Sequence, residues 1–77
     1  MEATIITAFG KAIRKLRNDA GISQEAFASM CDLHRTYISD IELGKRNVSL
    51  ENIQKMAVAL NMRISDVFLE VEKHGAV

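Results

Sequence analysis

The amino-acid sequence predicts an all-α protein of five short helices packed into one compact unit, on three observations. The 77 residues contain no proline and only four glycines, which suits helix interiors. Apolar residues recur at intervals of three and four in successive stretches. Cap and stop residues fall between those stretches, where one helix should end and the next begin. No strand signal, internal repeat or linker-like run interrupts the pattern, so residues 1–77 are read as a single domain. A domain this small buries only about 60% of the surface its unfolded chain exposes, and a partner subunit would relieve that marginal stability.

Ile5, Ile6, Phe9, Ala12, Ile13, Leu16 and Ala20 mark the first amphipathic helix, which should end at Gly21, a natural left-handed cap. Lys11, Arg14 and Lys15 fall on its outer face. Ser23 is placed as the N-cap of a second helix over Gln24 to about Cys31, with Ile22 and Phe27 positioned to staple its entry. Asp32 then stands at a sharp turn that calls for positive φ, which Asp tolerates better than a β-branched residue does. Leu33 is expected to tuck beneath that turn. The third helix should run from Arg35 to about Leu43 and close at Gly44.

Ser49 caps a fourth helix, with Val48 and Ile53 as the staple pair and Leu50, Ile53, Ala57 and Leu60 as its apolar stripe. Asn61 is a left-handed stop. The last helix covers about Ile64 to Glu72, where Ile64, Val67, Phe68 and Val71 repeat at three and four.

The third helix divides most cleanly. Tyr37, Ile38 and Ile41 lie on one side at helical spacing, and Arg35, Thr36, Ser39 and Asp40 on the other. The second set is a surface able to enter a DNA groove.

Whole-chain properties bound the alternatives. Nearly half the residues are hydrophobic (48%) and a quarter charged (26%) with both signs mixed, as in a globular protein rather than a disordered one. No apolar run approaches the ~18 residues that span a bilayer, and the N-terminus lacks a basic segment followed by an apolar stretch, so a soluble, cytoplasmic protein is expected. A lone cysteine, Cys31, has no partner for an internal disulfide. The two histidines, His34 and His74, do not cluster with it at ligand spacing, so neither a metal nor another cofactor is expected. Met30, Met56 and Met62 read as core or interface filler. No nucleophile–base constellation or glycine-rich phosphate loop is present, so no catalytic residue is assigned and an enzyme is not expected. A net charge of zero weighs mildly against nucleic acid, but the distribution matters more. Lys11, Arg14, Lys15 and Arg17 form one basic cluster and Lys45 and Arg46 another, while Asp66, Glu70 and Glu72 gather near the C-terminus, so the charge should be segregated across the molecule.

The blocks LRNDAGISQEAFA, YISDIELGK, SLENIQKMAVAL and ISDVF, in this order and spacing over about residues 8–69, resemble the Cro/C1-type, Xre-like helix-turn-helix regulators of bacteria and phages. The resemblance implies a lambda-repressor-like five-helix DNA-binding domain. Within that family, RTYISDIELGKRN looks most like the small controller proteins of restriction–modification systems, which bind their own promoter region as dimers. Three departures stand out. Asp32 replaces the glycine usual in the turn, Asp40 puts a carboxylate where controllers often have a small residue, and His34 stands where a Ser, Thr or Asp cap is common. The resemblance also implies that Arg17 and Glu42 form an ion pair between the first helix and the end of the reading helix.

Site roles follow from chemistry and position. Arg35 and Thr36 are the leading base readers, since Arg bonds guanine O6 and N7 together and Thr offers a hydroxyl and a methyl. Ser39 and Asp40 lie one turn further on the same face. Asp40 either accepts from cytosine N4, excludes wrong sequences, or orients Arg35 or a water. Gln24 opens the second helix, where its side-chain amide and the helix N-terminal N–H groups are expected to reach phosphate. Tyr37 borders the apolar face and serves core packing, with or without its hydroxyl on phosphate. Lys45, Arg46 and Asn47, in the loop before the Ser49 cap, combine basic side chains with a helix N-terminus and so favour an anion.

The expected function is sequence-specific binding of an inverted-repeat operator by a homodimer joined through its C-terminal helix, with Ile64, Val67, Phe68 and Val71 at the interface. The partners are double-stranded DNA, a second copy, and RNA polymerase where the dimer activates by touching it. At this length the chain is expected to lack the oligomerisation and cleavage domain of larger phage repressors. The alternatives to a controller are a compact phage-type repressor, an autoregulating antitoxin or, in another class, a protein-interaction module that has lost DNA binding.

Overall fold

The structure, a computed structural model, describes residues 4–75. Five helices follow one another: α1 (Ile5–Asp19), α2 (Gln24–Cys31), α3 (Arg35–Glu42), α4 (Leu50–Ala59) and α5 (Ile64–Lys73). Among the described residues there is no strand, and no helix is long and apolar enough to cross a membrane.

The punctuation follows side-chain chemistry. Ser23 and Ser49 accept from the backbone N–H of Ala26 at 3.0 Å and of Asn52 at 3.2 Å, each satisfying one donor that a helix start leaves without a partner. Thr4, which the apolar pattern did not single out, does the same for α1 by accepting from Thr7 N–H at 3.1 Å. His34 stands at the N-cap of α3 without a side-chain capping bond. The expected left-handed stops are present, at Asp32 (φ 57°) after α2 and Asn61 (φ 56°) after α4.

α3 packs against α1 and α2, α4 against α2, and α5 against α1 and α4. Phe27, Ile13, Ile38, Ile41, Met56, Val67 and Val71 are the largest wholly buried side chains, drawn from all five helices. At Gly10 the backbones of α1 and α3 approach so closely that a Cβ would run into the carbonyl oxygen of Ile41. The absence of a side chain there sets the distance between the helix that supplies the floor and the helix that presents the surface.

Two expectations about apolar faces need correction. Leu50 is 82% exposed rather than part of the core, because helical side chains lean toward the N-terminus and this one projects past the first turn of α4. Met56 takes its place beside Ile53 and Ala57. The second correction concerns α5. Val67 and Val71 are fully buried within this chain's own core, since they form the i, i+4 row that α5 turns toward the rest of the bundle. They have no surface to offer a second copy. Of the four residues expected at an interface, Ile64 is exposed and Phe68 half-buried, with its ring centroid 6.0 Å from that of Phe9.

Candidate nucleic-acid interface

α2 and α3 meet across the turn at Asp32–His34, and α3 turns its two faces as the periodicity predicts. Ile38, Ile41 and Glu42 are buried. Arg35 and Thr36 are exposed, and Ser39 and Asp40 are half-exposed. With eight residues the helix is about 12 Å long, comparable to the width of a DNA major groove. Gln24, Arg35, Thr36 and Ser39 line one shallow polar concavity, so the start of α2 and the start of α3 contribute to the same surface.

Arg17 and Glu42 fix that surface from behind. Arg17 Nε and Nη2 donate to Glu42 Oε2 and Oε1 at 2.7 and 2.9 Å, and Nη1 donates to the carbonyl of Ile22 at 2.8 Å. The pair, expected from family resemblance, is thus a two-pronged bridge from α1 to the end of α3, anchored also to the entry of α2. The hydrogen bond to Glu42 raises the Arg17 pKa above its ordinary value despite the opposing effect of burial, so the guanidinium stays charged. Gln24 Nε2 adds a third donor to Glu42 Oε1 at 3.1 Å. The side chain expected to reach outward to phosphate therefore has its amide N–H₂ directed to the bridge, because Glu42 offers an anionic acceptor within reach.

A second network holds the far end. Asn52 Nδ2 donates to Tyr37 Oη at 3.1 Å, and the Arg46 guanidinium carbon lies 5.5 Å from the Tyr37 ring centroid, within cation–π range. Arg46 Nε also pairs with Asp40 Oδ2 at 3.4 Å. Asp40 thus turns to Arg46, not to Arg35 as one alternative had it. Tyr37 is half-buried against the core, with its hydroxyl engaged by Asn52. Lys45, Arg46, Asn47 and Ser49 are all exposed, and Gly44 (φ 75°) turns the chain into their loop.

The expected charge segregation is weaker than the sequence suggested. Lys15 is paired with Asp19 at 2.7 Å, and that hydrogen bond raises its pKa, with the charges of Asp19 and Glu70 adding to the effect. Glu70, a buried carboxylate on α5, also meets His74 at 3.0 Å and Lys73 at 3.8 Å. Packing α5 on α1 brings C-terminal acid to N-terminal base. Among the described residues no group of three His, Cys, Asp or Glu side chains is arranged to hold a metal ion.

Asn52 was not foreseen, since nothing in the sequence links it to Tyr37 fifteen residues earlier. Gly10 carried a signal that went unread: a glycine in a helix interior costs about 1 kcal/mol against alanine, so it usually marks a close approach.

Two helices at a tight turn, the second with a buried apolar row and an outward polar row, define a helix-turn-helix protein. A family model described as helix-turn-helix matches residues 13–67, and the chain belongs to that family. Its relatives include the control protein C.MunI of Mycoplasma sp, 48% identical over 66 residues that cover 84% of this chain and 89% of that one. Among solved structures, the restriction-modification controller protein C.AhdI from Aeromonas hydrophila is 43% identical with a TM-score of 0.80, over 82% of this chain and 96% of its own. The controller C.Esp1396I, solved as a tetramer with its natural 35-base-pair operator, is 29% identical with a TM-score of 0.86, over 95% of this chain and 96% of its own. Within the helix-turn-helix family the chain is thus similar to restriction–modification controllers over most of its length.

Proposed function

We propose that this protein is a transcriptional regulator of a restriction–modification system, binding an inverted-repeat operator at its own promoter as a homodimer. The observation that carries the reading is the outward polar row of α3, which stands exposed at Arg35 and Thr36 while Arg17 and Glu42 clamp the helix from behind. Similarity to controllers over most of the chain supports it.

In this reading Arg35 and Thr36 read base edges and Ser39 reaches the next position along the groove. Lys45, Arg46, Asn47 and the start of α4 at Ser49 contact backbone phosphates, as do the N-terminal N–H groups of α2 at Gln24. Tyr37 shapes the surface by seating Arg46. Twofold symmetry puts two copies of α3 into successive major grooves about 34 Å apart, so the half-sites lie roughly one helical turn apart. The dimer acts by occupancy rather than catalysis, in the cytoplasm where promoter DNA is. It represses where it blocks RNA polymerase and activates where it touches it.

The apolar face available to a second copy runs from Leu50 and Ile64 on α4 and α5 past Ile53 to Ile5 and Phe68. This face, not the buried Val67 and Val71, is the proposed contact.

The test is a titration of promoter and unrelated duplex DNA at about 50 and about 200 mM salt, followed by selection from randomised DNA. Salt-sensitive binding and recovery of an inverted repeat are expected. No binding at the lower salt would instead leave a protein-interaction module.

A further inference from the structure

Arg46 is the basic residue best placed between the reading helix and the α4 cap, yet it is already occupied. Its Nε is 3.4 Å from Asp40 Oδ2 and its guanidinium carbon 5.5 Å from the Tyr37 ring centroid, while Asn52 holds the Tyr37 hydroxyl. Asp40 keeps only 26% of its side chain exposed, against 53% for Arg46. The carboxylate is therefore the more firmly seated partner, and Arg46 the arm that swings. A carboxylate also resembles a phosphodiester in what it offers a guanidinium: two anionic oxygens as acceptors.

We propose that Asp40 attenuates DNA affinity by acting through Arg46, as an internal substitute for DNA phosphate. This rests on the DNA-binding reading above. On unrelated DNA, binding is made almost entirely of phosphate contacts, so each basic group withheld from the backbone weakens it directly. The Asp40–Arg46 pair withholds one. On the operator, Arg46 must leave Asp40 to reach phosphate, so the free energy of the pair is subtracted there as well. The carboxylate thus lowers affinity for any DNA, by up to the free energy of its pair with Arg46, without touching a base.

Asp40→Asn keeps the side-chain shape and removes the charge. Unchanged thermal melting verifies that this variant is folded. Its affinity for a random duplex at about 50 mM salt should rise about threefold to fivefold, with a salt dependence steeper by about one unit in slope. Affinity for the operator selected by the wild-type protein should rise at least as much, with no change in base preference. In an Arg46→Ala background the gain on random DNA from Asp40→Asn should disappear. Persistence of the gain in that background would mean bare repulsion of phosphate and overturn the proposal. So would a changed base preference at one operator position with no gain on random DNA, which would make Asp40 a base reader. Failure of the wild-type protein to bind any duplex at low salt would remove the DNA-binding reading itself and the proposal with it. Wild-type binding left unaltered by Asp40→Asn would remove the proposal alone.

Discussion

Arg17 and Glu42 face each other as a planar fork against a carboxylate, at 2.7 and 2.9 Å, with only 10% and 3% of their side chains exposed. The residues are twenty-five positions apart, and the bridge ties the last turn of the first helix to the last residue of the third. Removing one partner leaves a desolvated charge, so Arg17→Met should cost about 3–5 kcal/mol of stability in urea denaturation. The double variant Arg17→Met/Glu42→Met should recover much of that loss, because neither charge is then stranded. A single-variant cost under about 1 kcal/mol would show that solvent reaches the pair.

Gly10 makes a sharper test of geometry, since alanine is otherwise the better helix former. Gly10→Ala should destabilise by about 1–3 kcal/mol, as overpacking does, although helix propensity alone predicts a gain of about 1 kcal/mol. The added methyl pushes against the Ile41 carbonyl, so α3 must shift. Operator affinity should therefore fall even at temperatures where the variant is fully folded by circular dichroism.

Much of this was legible in the chain because the controlling signals are local. Ser23, Asp32, Ser49 and Asn61 act through their own backbone or a residue three positions on, and the periodicity of α3 sorted Ile38 and Ile41 from Arg35 and Thr36 before any packing was known. The misjudged residues depend on contacts between distant segments. Leu50 and Val67 have apolar side chains at correct spacing, but only the placement of α4 against α5 decides which one is covered. Likewise, the pairing of Asp40 with Arg46 and of Gln24 with Glu42 is a choice among several acceptors, which spacing does not rank.

Arg35 is exposed at the start of α3 and makes no ion pair among the described residues. Arg35→Ala should weaken operator binding by about 1–3 kcal/mol and relax the preference at one position of each half-site, with little change on random DNA. Binding-site selection repeated with the variant measures this. A uniform loss on all sequences would assign Arg35 to the backbone instead.

Cys31 is buried, with its Sγ 3.9 Å from the carbonyl oxygen of Lys55, and burial pushes its pKa up to about 11 from 9.0, with Lys55 pulling slightly the other way. The folded protein holds this proton to higher pH than the unfolded chain does. The associated stability is fully present below pH 9.0 and is lost as pH rises through about 11. Melting temperature should therefore fall more steeply between those limits for the wild-type protein than for Cys31→Ala. At pH 8, alkylation by iodoacetamide should proceed only as fast as the chain opens. Rapid alkylation of the folded protein would contradict the burial.

The proposed dimer contact is testable from burial alone. Leu50 is 82% exposed and Ile64 44%, and together they line one apolar hollow with Ile53. Leu50→Asp and Ile64→Asp should each leave the fold intact, since neither side chain is committed to the core. A charge in an apolar contact has no partner and strongly opposes association. Sedimentation equilibrium should then report a monomer, and operator affinity should fall by at least about tenfold, because each half-site must be bound without the help of the other. Val67→Asp should unfold the chain instead, as it buries the same charge inside the subunit. If Leu50→Asp and Ile64→Asp both remain dimers while the wild-type protein is one, the two copies meet through a different face.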